Sequence, residues 1–351
     1  MNRKAHFLCR KRIIMAKEKS CPRVDIGGQA VLDGVMMKAP DAVAVAVRRS
    51  NGDIVVKREA YVSPAKKHKW MGWPFIRGAV SMVNMLSLGM RVLTESANMV
   101  GEQIQEEPGK FEKWLTEKLG DKKAEKFFMG LAVVMALALS VGLFVLLPNL
   151  AMFLFPKEAT GGMLLLKNLI SGIIRIVLLI GYISFCGRIP EMKKTFQYHG
   201  AEHKTVYCNE NGLELNPQNA QQFSTLHPRC GTAFLLLTFF LSIIFYSIID
   251  VLVLELTGFD LGANYILRIL SRLILLPLIT GISYEVLKAL AHSDGPIVKI
   301  LRWPGLQMQR LTTKQPTDEM IEVAIVSMNA ALHGLPDGEK TEEGWVVLKK
   351  E

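Results

Sequence analysis

The run AFLLLTFFLSIIFYSIIDVLVLEL, Ala233–Leu256, decides the fold. Its 24 residues carry only two charges, Asp250 and Glu255. As a helix it rises about 36 Å at 1.5 Å per residue, enough to cross a hydrocarbon layer of about 30 Å. A helix on the surface of a soluble domain keeps one polar face; this run has none. Three further stretches read the same way: Phe127–Phe155, Leu169–Gly187 and Asn264–Ala291. Half of the 351 residues are apolar and the mean hydropathy is positive. The expectation is a membrane α-helical fold with four transmembrane helices.

Orientation follows from the basic residues. About two dozen Lys and Arg precede Phe127, five lie in Arg188–Thr232, and the segment after Ala291 is basic, whereas TGFDLGA (Thr257–Ala263) has none. The positive-inside rule places both termini and the 188–232 connection in the cytoplasm of a multi-pass plasma-membrane protein. The net charge of +10 is then explained by anionic lipid, and no nucleic acid is expected. MNRKAHFLCRKRIIMAKEKS lacks an apolar signal-peptide core, and Met15 is an alternative start. Cys9, Cys21, Cys186, Cys208 and Cys230 show no CxxC spacing and are expected to stay reduced.

Five segments follow. Residues 1–23 are a basic N-terminal segment. Residues 24–63 read as a small cytoplasmic β-hairpin unit, because AVAVAVRR (Ala42–Arg49) and IVVKREAYV (Ile54–Val62) flank Asn51-Gly52. Residues 64–126 contain an interfacial helix, Trp70–Val100, with Trp70, Trp73 and neighbouring lysines suited to a membrane surface, and then a charged connector. Arg77 and Arg91 argue against a full crossing there, leaving a re-entrant element as the alternative. Residues 127–295 form the four-helix membrane domain with the connection 188–232. Residues 296–351 hold a cytoplasmic helix, Pro316–Leu332, capped by Thr317, and a tail.

The chemistry concentrates in YHGAEHK, Tyr198–Lys204. Pro190 suits a first helical turn and NENG (Asn209–Gly212) an end, so His199 and His203 share a face with Met192, Phe196 and Val206. Buried imidazoles need partners, and His-x-x-Glu-His is the spacing of inverted zinc peptidases, with the glutamate as general base. HPRCGT (His227–Thr232) precedes the third crossing, and Glu285 lies in the fourth, about 9 Å short of its cytoplasmic end. The candidate ligands are therefore His199, His203, Glu285, His227 and Cys230. Glu202 is the candidate base and Arg229 the stabiliser of negative charge. An intramembrane carboxylate is functional by default; the structural alternative for Glu285 is an ion pair with Lys204 or Arg229. His227 is otherwise a turn residue and Cys230 an inert thiol. His292 and Asp294 are candidates for outer partners of the ligands or for a helix terminus. Asp250 paired with one of Arg175, Arg268 and Arg272 reads as internal neutralisation.

VDIGGQAVLDGVMM (Val24–Met37), FQYHGAEHKTV (Phe196–Val206), HPRCGT and GISYE (Gly281–Glu285) together resemble the YqhQ-like family of bacterial membrane proteins. The resemblance runs from about Val24 to the Pro316–Leu332 helix. That family is a domain of unknown function, sometimes labelled a predicted metal-dependent enzyme, so the resemblance implies a metal and supplies no substrate.

Three functions compete. The first is a cytoplasm-facing hydrolase using Zn²⁺, with Fe²⁺ and Mn²⁺ as alternatives, acting on a peptide or lipid substrate. The second is a scaffold or assembly factor for membrane proteins, with a structural metal or polar cluster. The third is a transporter using Arg175, Asp250 and Arg272, disfavoured because no repeated pair of broken helices is evident. Oligomeric state is not legible.

Overall fold

The computed structural model describes residues 26–101, 110–150, 161–261, 265–291, 293 and 295–349. His292 and Asp294 therefore lie outside the described residues, as do Met15, Cys9 and Cys21. The N-terminal part is an antiparallel meander of β1 (Gly27–Val31), β2 (Gly34–Lys38), β3 (Ala42–Arg48) and β4 (Ile54–Ala60). The β3–β4 turn places Gly52 at φ 95°, a conformation that costs glycine nothing. Two short strands from the other end of the chain, β5 (Glu339–Lys340) and β6 (Val346–Leu348), extend the sheet to the order β1-β2-β3-β4-β6-β5. The sheet thus reaches beyond the 24–63 unit expected from sequence.

After helical turns at Pro64–Lys67 and Lys69–Gly72 come α1 (Ile76–Gly101), α2 (Lys110–Leu119) and α3 (Asp121–Val141). The last continues through a wider turn, Gly142–Leu146, to Leu150. Then follow α4 (Gly161–Cys186), α5 (Pro190–Glu210), α6 (Pro217–Gln221) and α7 (Gly231–Thr257). The chain closes with α8 (Tyr265–Ala291), α9 (Pro296–Thr312) and α10 (Asp318–His333). Among the described residues, three helices are long and apolar enough to cross a membrane: α4, α7 and Ile266–Leu290 of α8. Within the first expected crossing, Phe127–Phe155, Gly130–Leu146 is a shorter apolar helix, and residues 151–160 lie outside the described ones. The three long helices bury few of their apolar side chains and expose many, Leu256 and Ile274 among them, as helices that face lipid do.

Every residue of β3 except Arg48 is buried, because helices cover both faces of the sheet. The alternation separates the two sides. Ala44 and Ala46 join Val35, Met37, Ile54 and Val56 in a core with α5 and α10, through Tyr198, Ala201, Ile321, Ala324 and Met328. Val43, Val45 and Val47 join Val31, Met36, Val55 and Trp345 against Leu88, Val92 and Met99 of α1. Alanine on the first side lets α10 approach the strand closely enough for Ser327 Oγ to donate to the Ala44 carbonyl at 3.0 Å. Thr317 caps α10 through the Met320 amide, as its sequence position suggests.

The membrane helices meet through a buried polar network. Asp250 of α7 accepts from Arg272 of α8 through both carboxylate oxygens and from Asn168 of α4 at 2.9 Å, and Arg268 donates to the Asn168 carbonyl oxygen at 2.9 Å. Arg175 donates to the Phe144 carbonyl in the wide turn after α3, where the altered helical pitch frees an acceptor. The expected Asp250–Arg pairing is thus present, with Arg272 as the arginine.

Candidate metal centre

The site is built on α5, whose Pro190 occupies the first turn. One face of the helix packs against β1, β2 and α10; the neighbouring face holds two chain segments by their backbones. His199 Nδ1 lies 2.9 Å from the Thr312 carbonyl, Lys314 N–H donates to Phe196 O, and Gln197 donates to Gln315 O. Gly200 is a close-approach position, since a Cβ there would collide with the Lys314 carbonyl. The second segment is the loop between α6 and α7. His203 Nδ1 meets the Thr225 carbonyl, Lys204 Nζ donates to Gln221 O and Phe223 O, and Tyr207 Oη donates to Leu226 O. Burial pushes the Lys204 amine below its usual range.

Those backbone carbonyls fix the imidazole tautomers. A carbonyl accepts only, so His199 and His203 carry their protons on Nδ1 and present bare Nε2 lone pairs. His199 Nε2 lies 3.2 Å from Cys230 Sγ. His203 Nε2 is buried without a hydrogen-bond partner among the described residues. One ligand atom from each of His199, His203 and Cys230 lies within 4.8 Å of the other two. Metal-ligating histidines are oriented in this way by a carbonyl on the second nitrogen, and two imidazoles with a thiol make a donor set suited to a borderline-soft divalent ion. The residues fit a metal.

Glu202 stands beside this group, with its carboxylate 3.4 Å from His203 Nε2. It is only 5% exposed and packs over Gly28 of β1, where a Cβ would meet its side chain and the Met36 carbonyl. Burial raises its carboxyl above the usual range, opposed by the nearby His199 and His227 rings and the Gly28 backbone amide. Burial also lowers the His203 imidazole, with Cys230 acting against it.

The remaining candidates are engaged otherwise, although the His227 ring stands only 5.7 Å from that of His203. His227 Nδ1 accepts from the Arg229 backbone amide at 3.3 Å, so its proton sits on Nε2, which faces Glu210 at 3.5 Å. That is the opposite tautomer to a metal ligand on Nε2. Its loop is held by Gln309, which accepts from His227 N at 2.7 Å and donates to His227 O at 2.8 Å. Arg229 forms an ion pair with Glu210. Glu285, expected to share a cation with the histidines, is instead bound by Arg77 through Nε at 2.7 Å and Nη2 at 2.5 Å, with the Phe75 amide at 3.4 Å. The physical reason is the start of α1. Its positive end and Arg77 together satisfy a carboxylate, and Gly281 and Gly78 let α1 and α8 cross so closely that a Cβ at Gly281 would strike the Phe75 carbonyl. Neither Lys204 nor Arg229 is the partner. Glu285→Gln is expected to leave bound metal unchanged while lowering stability by about 1.5 kcal/mol, the worth of a hydrogen bond to a charged group; elemental analysis beside denaturant unfolding checks both.

Sequence reasoning passed over Thr312, Thr225 and Gln309. The first two act through backbone carbonyls, which no side-chain pattern reveals, and Gln309 lies in a helix whose Pro304 and Gly305 read as a break.

Residues 73–334 match the protein family described as "Protein of unknown function (DUF1385)". The chain is 34% identical over 330 residues to a protein of Bacillus subtilis (strain 168) described as "Uncharacterized protein YqhQ", an alignment covering 91% of this chain and 95% of that one. No solved structure matches.

Proposed function

The chain belongs to the DUF1385 family, and from that premise we propose that it is a metal-dependent hydrolase of the plasma membrane, with its centre facing the cytoplasm. His199, His203 and Cys230 hold the ion, and Glu202 is the base. The observation that carries this reading is the convergence of one ligand atom each from His199, His203 and Cys230 within 4.8 Å, with His203 Nε2 buried and making no hydrogen bond among the described residues. A buried acceptor without a partner costs about 1–3 kcal/mol, which a bound cation removes. The basic residues flanking the apolar helices support the cytoplasmic placement of the termini and the centre.

Zn²⁺ is the ion that best suits this donor set; when bound it supplies Lewis-acid polarisation of a carbonyl or phosphoryl oxygen. The protein's own residues do the rest. The Thr312 and Thr225 carbonyls keep both Nε2 atoms deprotonated. Glu202, with one oxygen toward the donors, accepts a proton from the attacking water and returns it to the leaving group. The sheet excludes bulk solvent from that carboxylate. Arg229, ion-paired to Glu210, serves to hold the loop.

A second reading is a structural centre, closed by Glu202 as fourth ligand; the packing of Glu202 beneath Gly28 favours it. Elemental analysis and hydrolysis of ester, peptide and phosphoester probes by the protein in nanodiscs separate the two. The expected result is one zinc per chain, lost in His203→Ala and Cys230→Ala. Glu202→Gln keeps the zinc and loses hydrolysis. Full zinc in His203→Ala overturns the centre; loss of zinc in Glu202→Gln selects the structural reading.

A further inference from the structure

The helix α9 begins five residues after α8 ends, and its two halves have opposite surroundings. Gly305, Met308, Gln309 and Thr312 in the second half are buried. Gly305 sits on Ala233 in the first turn of α7, where a Cβ would come within 2.9 Å of the Ala233 side chain. The first half exposes a continuous apolar surface: Ile297 is 72% exposed, Ile300 69%, Leu301 52% and Trp303 61%. Ile297, Ile300 and Leu301 are spaced i, i+3, i+4 and so share one side, with Trp303 beside it.

We propose that this surface is seated in the lipid bilayer, at the boundary between headgroups and acyl chains, and that α9 thereby fastens the metal centre to the membrane surface. Continuity with the apolar helices argues for lipid as the occupant. The helix packs against α4, α7 and α8, and it lies where α7 begins and α8 ends. Arg302 ties it to the last turn of α8, donating to Leu290 O and to Ser293 O. The composition agrees: a tryptophan among large aliphatic side chains, with Lys299 and Arg310 exposed nearby, is the pattern of a helix lying in a membrane interface. The buried half reaches the centre directly. Gln309 grips the His227 backbone through both of its amide atoms, and the Thr312 carbonyl sets the His199 tautomer. One helix therefore has lipid on its first two turns and the ligand scaffold on its last two.

Fluorescence quenching of the full chain in vesicles tests the seat independently of any metal. The emission difference between the wild type and Trp303→Phe isolates Trp303. Lipids brominated along the acyl chain are expected to remove most of that difference, while aqueous iodide leaves it. Quenching by iodide and not by bromolipid overturns the proposal, because Trp303 then faces water. Resistance to both overturns it as well, since protein then covers the surface. Ile300→Trp in the Trp303→Phe background gives a second reporter, expected to behave alike. Neither outcome bears on whether Glu202 is a base, so failure here and failure of the hydrolase reading are distinguishable.

Discussion

Asp250→Asn is expected to destabilise the protein by about 3–5 kcal/mol, the cost of leaving a buried charge without its partner. The substitution keeps the shape of the side chain and removes only its charge. Asp250 is fully buried, and it holds Arg272 through both oxygens and Asn168 through one. Without the carboxylate, Arg272 remains between α7 and α8 in a layer with no water to solvate it. Replacing both members by apolar residues, as in Asp250→Leu with Arg272→Met, is expected to restore most of the loss, because it removes both desolvation costs at once. Unfolding of the micellar protein followed by circular dichroism measures each variant. Equal destabilisation by the single and the double substitution would show that the ion pair contributes attraction beyond mutual neutralisation.

The second large effect is expected at Gly200. An alanine there brings Cβ into the Lys314 carbonyl, a backbone atom that cannot rotate away. Either α5 or the segment 312–315 must shift, and forcing such an overlap in a packed core costs about 1–3 kcal/mol. The segment that shifts carries the Thr312 carbonyl, two residues away, on which the His199 tautomer depends. Gly200→Ala is therefore expected to lose bound metal as well as stability, although it removes no ligand. Gly231→Ala, where nothing lies within 4 Å, is the control and is expected to retain both. Metal content beside the unfolding midpoint reads the two effects separately.

How much could be read beforehand follows from what kind of interaction each feature uses. Long apolar helices and the Asn51-Gly52 hairpin depend on local composition, and their stretches are visible. His199, His203 and Cys230 were among the named candidates because helical periodicity puts the imidazoles together and a Cys lies at the start of the next apolar helix. The cation that Glu285 meets is not legible in the sequence, because any nearby positive group satisfies an intramembrane carboxylate equally well. Its partner, Arg77, lies 208 residues away, and the close crossing that brings the two together depends on Gly78 and Gly281, small residues that also occur for other reasons. The helix α9 contains Pro304 and Gly305, which read as a break. The strand β6 has three residues, too short for a two-residue period to show.

That short strand bears on how the protein is made. The exposed rim of β4 accepts Val346–Leu348, which leave the ribosome only after every apolar helix has emerged. Until then β4 stays open, and an open rim invites a neighbouring chain to dock there. Closing of that rim is thus delayed until the apolar helices, which precede β6 in the chain, have been synthesised.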